Sequence, residues 1–245
     1  MSALGAGPGR GYHRLMATPT GTEVELKRRV RDLAALMRIC TAANGLPAFT
    51  AMQRNQFLDT PGAALDAGRF VLRIREETSP SQTTVYLTAK GPALKSADLT
   101  LSHVPEEEIV VDAQDVTGLH ASPMSALALL ESHSSSTPAR RALVAAMRAA
   151  IGTEPLRLAG EFVTERTRVD VAFPEGFVGV LELDRVRFPG DQIHHEVEFE
   201  VPADVDVDVA KAAFEALFQR ADVEGFAAPG KAKRFFAALR GETLA

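Results

Sequence analysis

The stretch Glu23-Val24-Glu25-Leu26-Lys27, continued by Arg28-Arg29-Val30, decides how the rest of the chain is read. Charge alternates with Val24, Leu26 and Val30 at period two, the pattern of a strand and not of a helix. On a strand, Glu23, Glu25, Lys27 and Arg29 share one face and the apolar residues share the other. Occurring once, this would be an ordinary half-solvated strand. It recurs along the chain. Arg73 and Arg75 alternate with Leu72 and Ile74, Lys90 ends the run from Thr84, and Glu106 and Glu108 open a strand from Pro105 to Asp112. In the second half Arg166, Arg168 and Asp170 share a face, and Glu182 and Asp184 share the next. Glu196, Glu198 and Glu200 then alternate with Val197, Phe199 and Val201.

The remaining segments supply helices and turns. Residues 32–44 carry apolar residues at helical spacing, with Gly45 as a stop, and residues 125–131 form a short helix. Thr137, Pro138 and Gly152 bracket a further helix with a cap, a first-turn proline and a terminator. Residues 114–152 are thus expected as a helical insertion packed on the sheet. Pro174-Glu175-Gly176 and Pro189-Gly190-Asp191 are turns that divide residues 161–201 into a three-strand antiparallel meander. Helices over 207–220 and 231–239 close the chain. The expected organisation is a flexible tail over residues 1–21 and one domain over residues 22–241.

Composition narrows the function classes. With 46% hydrophobic and 24% charged residues, the 245-residue chain can build one large core. A net charge of −5 argues against a general nucleic-acid binder. The lone Cys40 excludes an internal disulfide and fits a reducing, cytoplasmic compartment. No apolar run approaches the roughly 20 residues of a membrane span. Residues 1–20 bear a weak likeness to an organellar transit segment. Residues 5–11 are glycine-rich but lack the Lys-Ser/Thr of a phosphate-binding loop. His194 and His195 point to opposite faces of a strand, make a poor metal pair, and are read as surface residues. Glu182 is read as a surface or ion-pairing residue.

Seven or eight strands, each with one charged face, can lie open to solvent or close into a barrel around their charges. Closure fits better, because the helices need an apolar surface to cover. A charged interior is costly unless it is paired, hydrated or filled by a ligand. Clustered carboxylates suit a hard divalent cation such as Mg²⁺ or Mn²⁺. Clustered Arg and Lys suit phosphate oxygens. One cavity carrying both implies a metal–polyphosphate complex.

Six segments then resemble one family in its own order. Glu23-Val24-Glu25-Leu26-Lys27 is similar to the ExExK signature of the CYTH superfamily, the triphosphate tunnel metalloenzymes. Residues 53–61, ending Asp59-Thr60-Pro61, resemble its "yFDTP" segment, and Leu72-Arg73-Ile74-Arg75 its "LRiR". Residues 87–92 resemble "LTxKGP", and residues 183–186 and 196–200 resemble the late "lD.v" and "ElElE" strands. The resemblance implies an α+β fold, an eight-stranded antiparallel β-barrel tunnel with flanking helices, that binds a small-molecule triphosphate with Mg²⁺ or Mn²⁺. Carried over, Glu23, Glu25, Asp184, Glu196, Glu198 and Glu108 would be metal ligands. Lys27, Arg73, Arg75 and Lys90 would act on the transferring phosphate, and Arg54, Arg166, Arg168 and Lys231 would bind substrate. The register of Glu106 against Glu108 stays open, and Glu196 and Glu198 are favoured over Glu200.

The implied activity is metal-dependent triphosphate hydrolysis, on inorganic triphosphate or an organic or nucleoside triphosphate. A class IV-type adenylate cyclase, a thiamine triphosphatase and a non-catalytic polyphosphate-binding module are the alternatives. No nucleic-acid or membrane partner is expected, and the protein would be a monomer or homodimer.

Overall fold

The computed structural model describes residues 20–44, 47–92, 101–133 and 137–242. Most of the expected tail, and the expected helix stop at Gly45, lie outside the described residues. Eight strands run in chain order: β1 (Thr20–Val30), β2 (Pro47–Asp59), β3 (Val71–Thr78), β4 (Thr83–Lys90), β5 (Leu101–Val111), β6 (Arg157–Ala172), β7 (Val178–Arg187) and β8 (Ile193–Glu200). They form one closed barrel in the order β1-β5-β4-β3-β2-β6-β7-β8. Every neighbouring pair is antiparallel, and β1 closes the ring by pairing with both β5 and β8. β5 starts at Leu101 rather than at Pro105, so the proline lies inside the strand and not at its head.

Seven helices flank the barrel among the described residues: α1 (Leu33–Ala42), α2 (Ala64–Ala67), α3 (Ala113–Ala121), α4 (Ser125–Ser132), α5 (Pro138–Ile151), α6 (Val207–Arg220) and α7 (Lys231–Leu239). Their starts follow from capping chemistry. The Asp32 carboxylate accepts from the Ala35 amide at 2.9 Å, and the Thr137 hydroxyl oxygen accepts from the Arg140 amide at 3.0 Å. Asp206 caps α6 by accepting from the Asp208 and Val209 amides. The unexpected α3 contains Thr117 and Gly118, weak helix formers that blur its periodicity. No helix among the described residues is long and apolar enough to cross a membrane.

The two-residue period sorts side chains into two populations. Outward residues Leu26, Val30, Leu181, Leu183, Val197 and Phe199 pack under α1 and α6. Leu72, Ile74, Leu87 and Ile109 pack under α2, α4 and α5. Each such buried side chain stabilises the fold by about 1.5–3 kcal/mol. A third cluster lies on the inner side: Phe57, Phe162, Val186 and Phe188, packed against Phe235 and Phe236 of α7. Phe57 stacks on Phe235 with ring centroids 4.6 Å apart. Gly160 admits this helix, since a Cβ there would lie 3.1 Å from Phe235. α7 therefore plugs one end of the barrel with an aromatic stopper.

Candidate active site in the barrel lumen

The inward faces carry charge on nearly every strand, and the charges fall into two walls. The first is built from β3, β4 and β5. Both Nη2–carboxylate contacts between Arg75 and Glu108 measure 3.0 Å. Arg73 donates to the Asn55 amide oxygen at 3.2 Å and the Thr88 hydroxyl at 3.3 Å, and Thr88 donates onward to Glu108 at 2.6 Å. Lys90 pairs with Glu106. The open register is thereby resolved: Glu106 and Glu108 both face the lumen, while Glu107 points outward to Arg140 of α5. Burial, then the neighbouring Arg75 charge, brings the Arg73 guanidinium down to about 10 against the pull of Glu108. The Nε–H groups of Arg73 and Arg75 are buried and have no hydrogen-bond partner among the described residues. Buried donors of this kind call for an acceptor, a role a phosphate oxygen can fill.

The second wall comes from β6, β7, β8 and α7. Arg166 forks onto Asp184 at 2.8 and 2.6 Å, reaches Glu198 at 2.8 Å, and also pairs with Glu182. Arg168 bridges Glu77 at 2.7 Å and Glu182 at 3.1 Å. Burial would raise the Glu77 carboxyl, but the Arg168 hydrogen bonds and charge outweigh it and hold the group at about 2. The Lys231 Nζ lies 2.8 Å from Asp184, 2.7 Å from Glu196 and 2.5 Å from Glu198. Its burial favours the neutral amine, yet these carboxylates raise its pKa well above the ordinary lysine value. In return Lys231, Arg166 and Lys27 keep the Glu198 carboxyl low despite its burial. Arg234 pairs with Glu196, and its Nη1 donates to His194 Nδ1 at 2.9 Å.

β1 joins the two walls. The Lys27 Nζ is 3.3 Å from the Glu25 carboxylate. Burial, and then the negative charge of Glu198, raises the Glu25 pKa. The Glu23 backbone sits in β1 opposite Val104, and its side chain lies outside the described residues. Asp184, Glu196 and Glu198 each bring an oxygen within 4.8 Å of the others. A buried set of hard oxygen donors, with Glu25 near enough to feel the charge of Glu198, fits a divalent cation such as Mg²⁺ or Mn²⁺.

The barrel thus brings Glu25, Lys27, Arg73, Arg75, Lys90, Glu108, Arg166, Arg168, Asp184, Glu196, Glu198 and Lys231 onto inward faces. Glu108 stands on the arginine wall, apart from the acidic triad. Glu200 is exposed at the end of β8, leaving Glu196 and Glu198 as its buried inward pair. One expected residue is elsewhere. Arg54 has the parity of exposed Met52, not of inward Gln53 and Asn55; it points outside, half exposed, and pairs with Glu161 at 2.8 Å. His194 corrects a second expectation, being buried beside Arg234 and not on the surface. Asn55, Glu77 and Arg234 are lumen residues that sequence reasoning passed over. Glu77 continues the Arg73–Arg75 alternation by one more step, and Arg234 lies one helical turn after Lys231, so both left a signal.

The domain model for CYTH matches residues 21–236. The chain belongs to the CYTH family. Among solved structures it is similar to a "putative adenylyl cyclase" from Hippeastrum that shows a dominant triphosphatase activity. That pair has a TM-score of 0.69 and 24% identity, covering 91% of this chain and 97% of the other. A "putative adenylate cyclase" from Bacillus halodurans matches with TM-score 0.57 and 20% identity over 89% of this chain and 100% of its own. Another from Vibrio parahaemolyticus matches with TM-score 0.52 and 19% identity over 89% and 99%. These likenesses show a shared fold. No curated protein matches the chain.

Proposed function

We propose that this CYTH protein is a divalent-metal-dependent triphosphatase that hydrolyses inorganic triphosphate, or the terminal phosphate of an organic triphosphate, inside the barrel. The observation that carries the reading is the pairing of opposites in one enclosed lumen. A buried carboxylate triad shares the lumen with arginines whose Nε–H donors lack a partner among the described residues. Neither wall alone would accept a metal–triphosphate complex; together they match its cationic and anionic parts. The triphosphatase activity of the Hippeastrum relative agrees with this choice.

In this reading Glu23, Glu25 and Glu198, and the triad of Asp184, Glu196 and Glu198, hold the metal. The bound ion supplies charge neutralisation and acidifies a water molecule for attack. Arg73, Arg75 and Lys90 take the phosphate oxygens, with Glu108 and Thr88 fixing the two guanidinium planes so that little reorganisation is needed as charge develops. Arg166 and Arg168 stay locked to Asp184, Glu182 and Glu77, so they act by orienting carboxylates as much as by touching phosphate. Lys27, beside Glu25, bridges the metal and phosphate sides. Water oxygen adds to the terminal phosphorus, the bridging P–O bond breaks, the shortened phosphate leaves with the bond's electron pair, and the proton lost by the water passes to the leaving oxygen or to solvent. The aromatic plug at α7 closes one end of the barrel, which supports hydrolysis over cyclisation.

The test is incubation with tripolyphosphate, ATP and thiamine triphosphate under Mg²⁺ and Mn²⁺ separately, with the products resolved by ion chromatography. Orthophosphate with pyrophosphate or a nucleoside diphosphate is expected. Cyclic AMP as the main product would replace the reading with a cyclase, and tight tripolyphosphate binding without phosphate release would make the protein a binding module.

A further inference from the structure

We propose that Lys231 is a resident cation that holds the Asp184–Glu196–Glu198 cluster closed to divalent metal, and that metal entry requires its ammonium to leave for another partner. The proposal rests on the lumen being a metal–triphosphate site and adds how that site is loaded. An ammonium has three N–H donors and no acceptor. Here its Nζ lies within 2.5–2.8 Å of one oxygen on each of the three carboxylates. These are the carboxylates whose oxygens approach one another closely enough to share one ion. Lysine and metal would therefore compete for the same three carboxylates.

Charge sharpens the competition. Arg166, Lys231 and Arg234 are in contact with the three carboxylates, and Arg166 is shared with Glu182. A divalent ion added among these buried cations would meet their repulsion unless one of them left. Of the three cations, Lys231 is the one placed to yield. Arg166 is fixed by a two-pronged bond from the middle of β6, and Arg234 is anchored by both Glu196 and His194. Lys231 is the first residue of α7, on a flexible four-carbon stem. A Cβ built on Gly230, the residue before it, would lie 3.6 Å from the Lys27 Nζ, so a triphosphate held by Lys27 would come within reach of the Lys231 ammonium. A triphosphate reaching Lys27 could take the released ammonium while the metal takes the carboxylates. Metal and triphosphate then favour each other's binding, as reciprocal linkage requires.

The experiment is a Mn²⁺ titration of the full chain without triphosphate, with bound ions counted by electron paramagnetic resonance, for wild type, Lys231→Met and Lys231→Arg. Lys231→Met is expected to gain one bound ion, or to bind at least about tenfold more tightly, while Lys231→Arg titrates like wild type. Superimposable wild-type and Lys231→Met curves would overturn the proposal. A measurement free of any variant is amine acylation followed by peptide mass spectrometry on wild type. Labelling of Lys231 should be low in metal-free protein and rise as Mn²⁺ alone is raised until the carboxylate cluster fills; unchanged labelling while the ion binds would overturn the exchange. Phosphate release measured in parallel separates the two readings. Hydrolysis with superimposable titrations removes only the lysine exchange, and altered titrations without hydrolysis remove only the enzymatic reading.

Discussion

Three consecutive glutamates, Glu106, Glu107 and Glu108, are all less than a tenth exposed, so burial alone would rank them together. The barrel separates them by face. Glu107 looks outward and meets Arg140, whose side chain is fully buried; the Arg140 Nε donates to it at 2.9 Å and the Thr137 hydroxyl donates at 3.3 Å. This pair fastens the start of α5 to β5, on the back of the strand that carries Glu106 and Glu108. Glu107→Ala leaves the guanidinium buried without its carboxylate. Breaking a buried pair from one side costs about 3–5 kcal/mol, a large part of the roughly 5–15 kcal/mol that holds a domain folded. Urea unfolding at neutral pH should show the midpoint fall with an unchanged denaturant slope. The melting temperature should drop by about 6–20 °C, taking roughly 2–4 °C per kcal/mol at this size. The double change Glu107→Gln with Arg140→Met removes both charges and should recover most of that loss. Triphosphate hydrolysis by Glu107→Ala at a temperature where it remains folded should match wild type, whereas Glu108→Gln should lose it. A stability loss below about 1 kcal/mol in Glu107→Ala, or hydrolysis lost in the folded variant, would refute the outward assignment of Glu107.

Arg73→Ala should lower turnover by about a hundredfold or more, while Arg54→Ala, on the outer surface, should leave both turnover and KM unchanged in the same phosphate-release assay. His194 has a folded-state pKa depressed from 6.5 to about 4 by burial and by Arg29 and Arg234. The unfolded chain therefore takes up the proton first, and stability should fall as the pH drops from 6.5 towards 4. His194→Asn keeps an acceptor for Arg234 without titrating, so its urea midpoint should change less across that window. Gly179→Ala would place a Cβ 2.4 Å from the Phe199 ring, and overpacking of this kind should destabilise by about 1–3 kcal/mol in the same unfolding measurement.

Most of the barrel was legible because a strand with one charged and one apolar face writes its orientation directly into alternation. The outer cores under α1, α6 and α5 followed from the same alternation, since the apolar half had to be covered. Legibility ended where alternation did. The run Glu106-Glu107-Glu108 is charged at both parities, so only pairing with Lys90 and Thr88 on β4 shows which residues look inward. β2 carries polar residues on both faces, Gln53 and Asn55 inside and Arg54 and Gln56 outside on Glu161, and an arginine there could be assigned either way. Arg234 and His194 depend on how α7 seats against β8, a docking of elements 38–40 residues apart that no local period encodes.

The ring closes between its first and last members, β1 being stitched to β8 on one side and to β5 on the other. During synthesis β1 must wait, one edge unmatched, until residues 193–200 of β8 have emerged. Such long-range closure is slow, and an unpaired edge is a liability while it lasts. The charges that line one face of β1 serve here as well: Glu25, Lys27 and Arg29 make that waiting edge a poor template for stray chains.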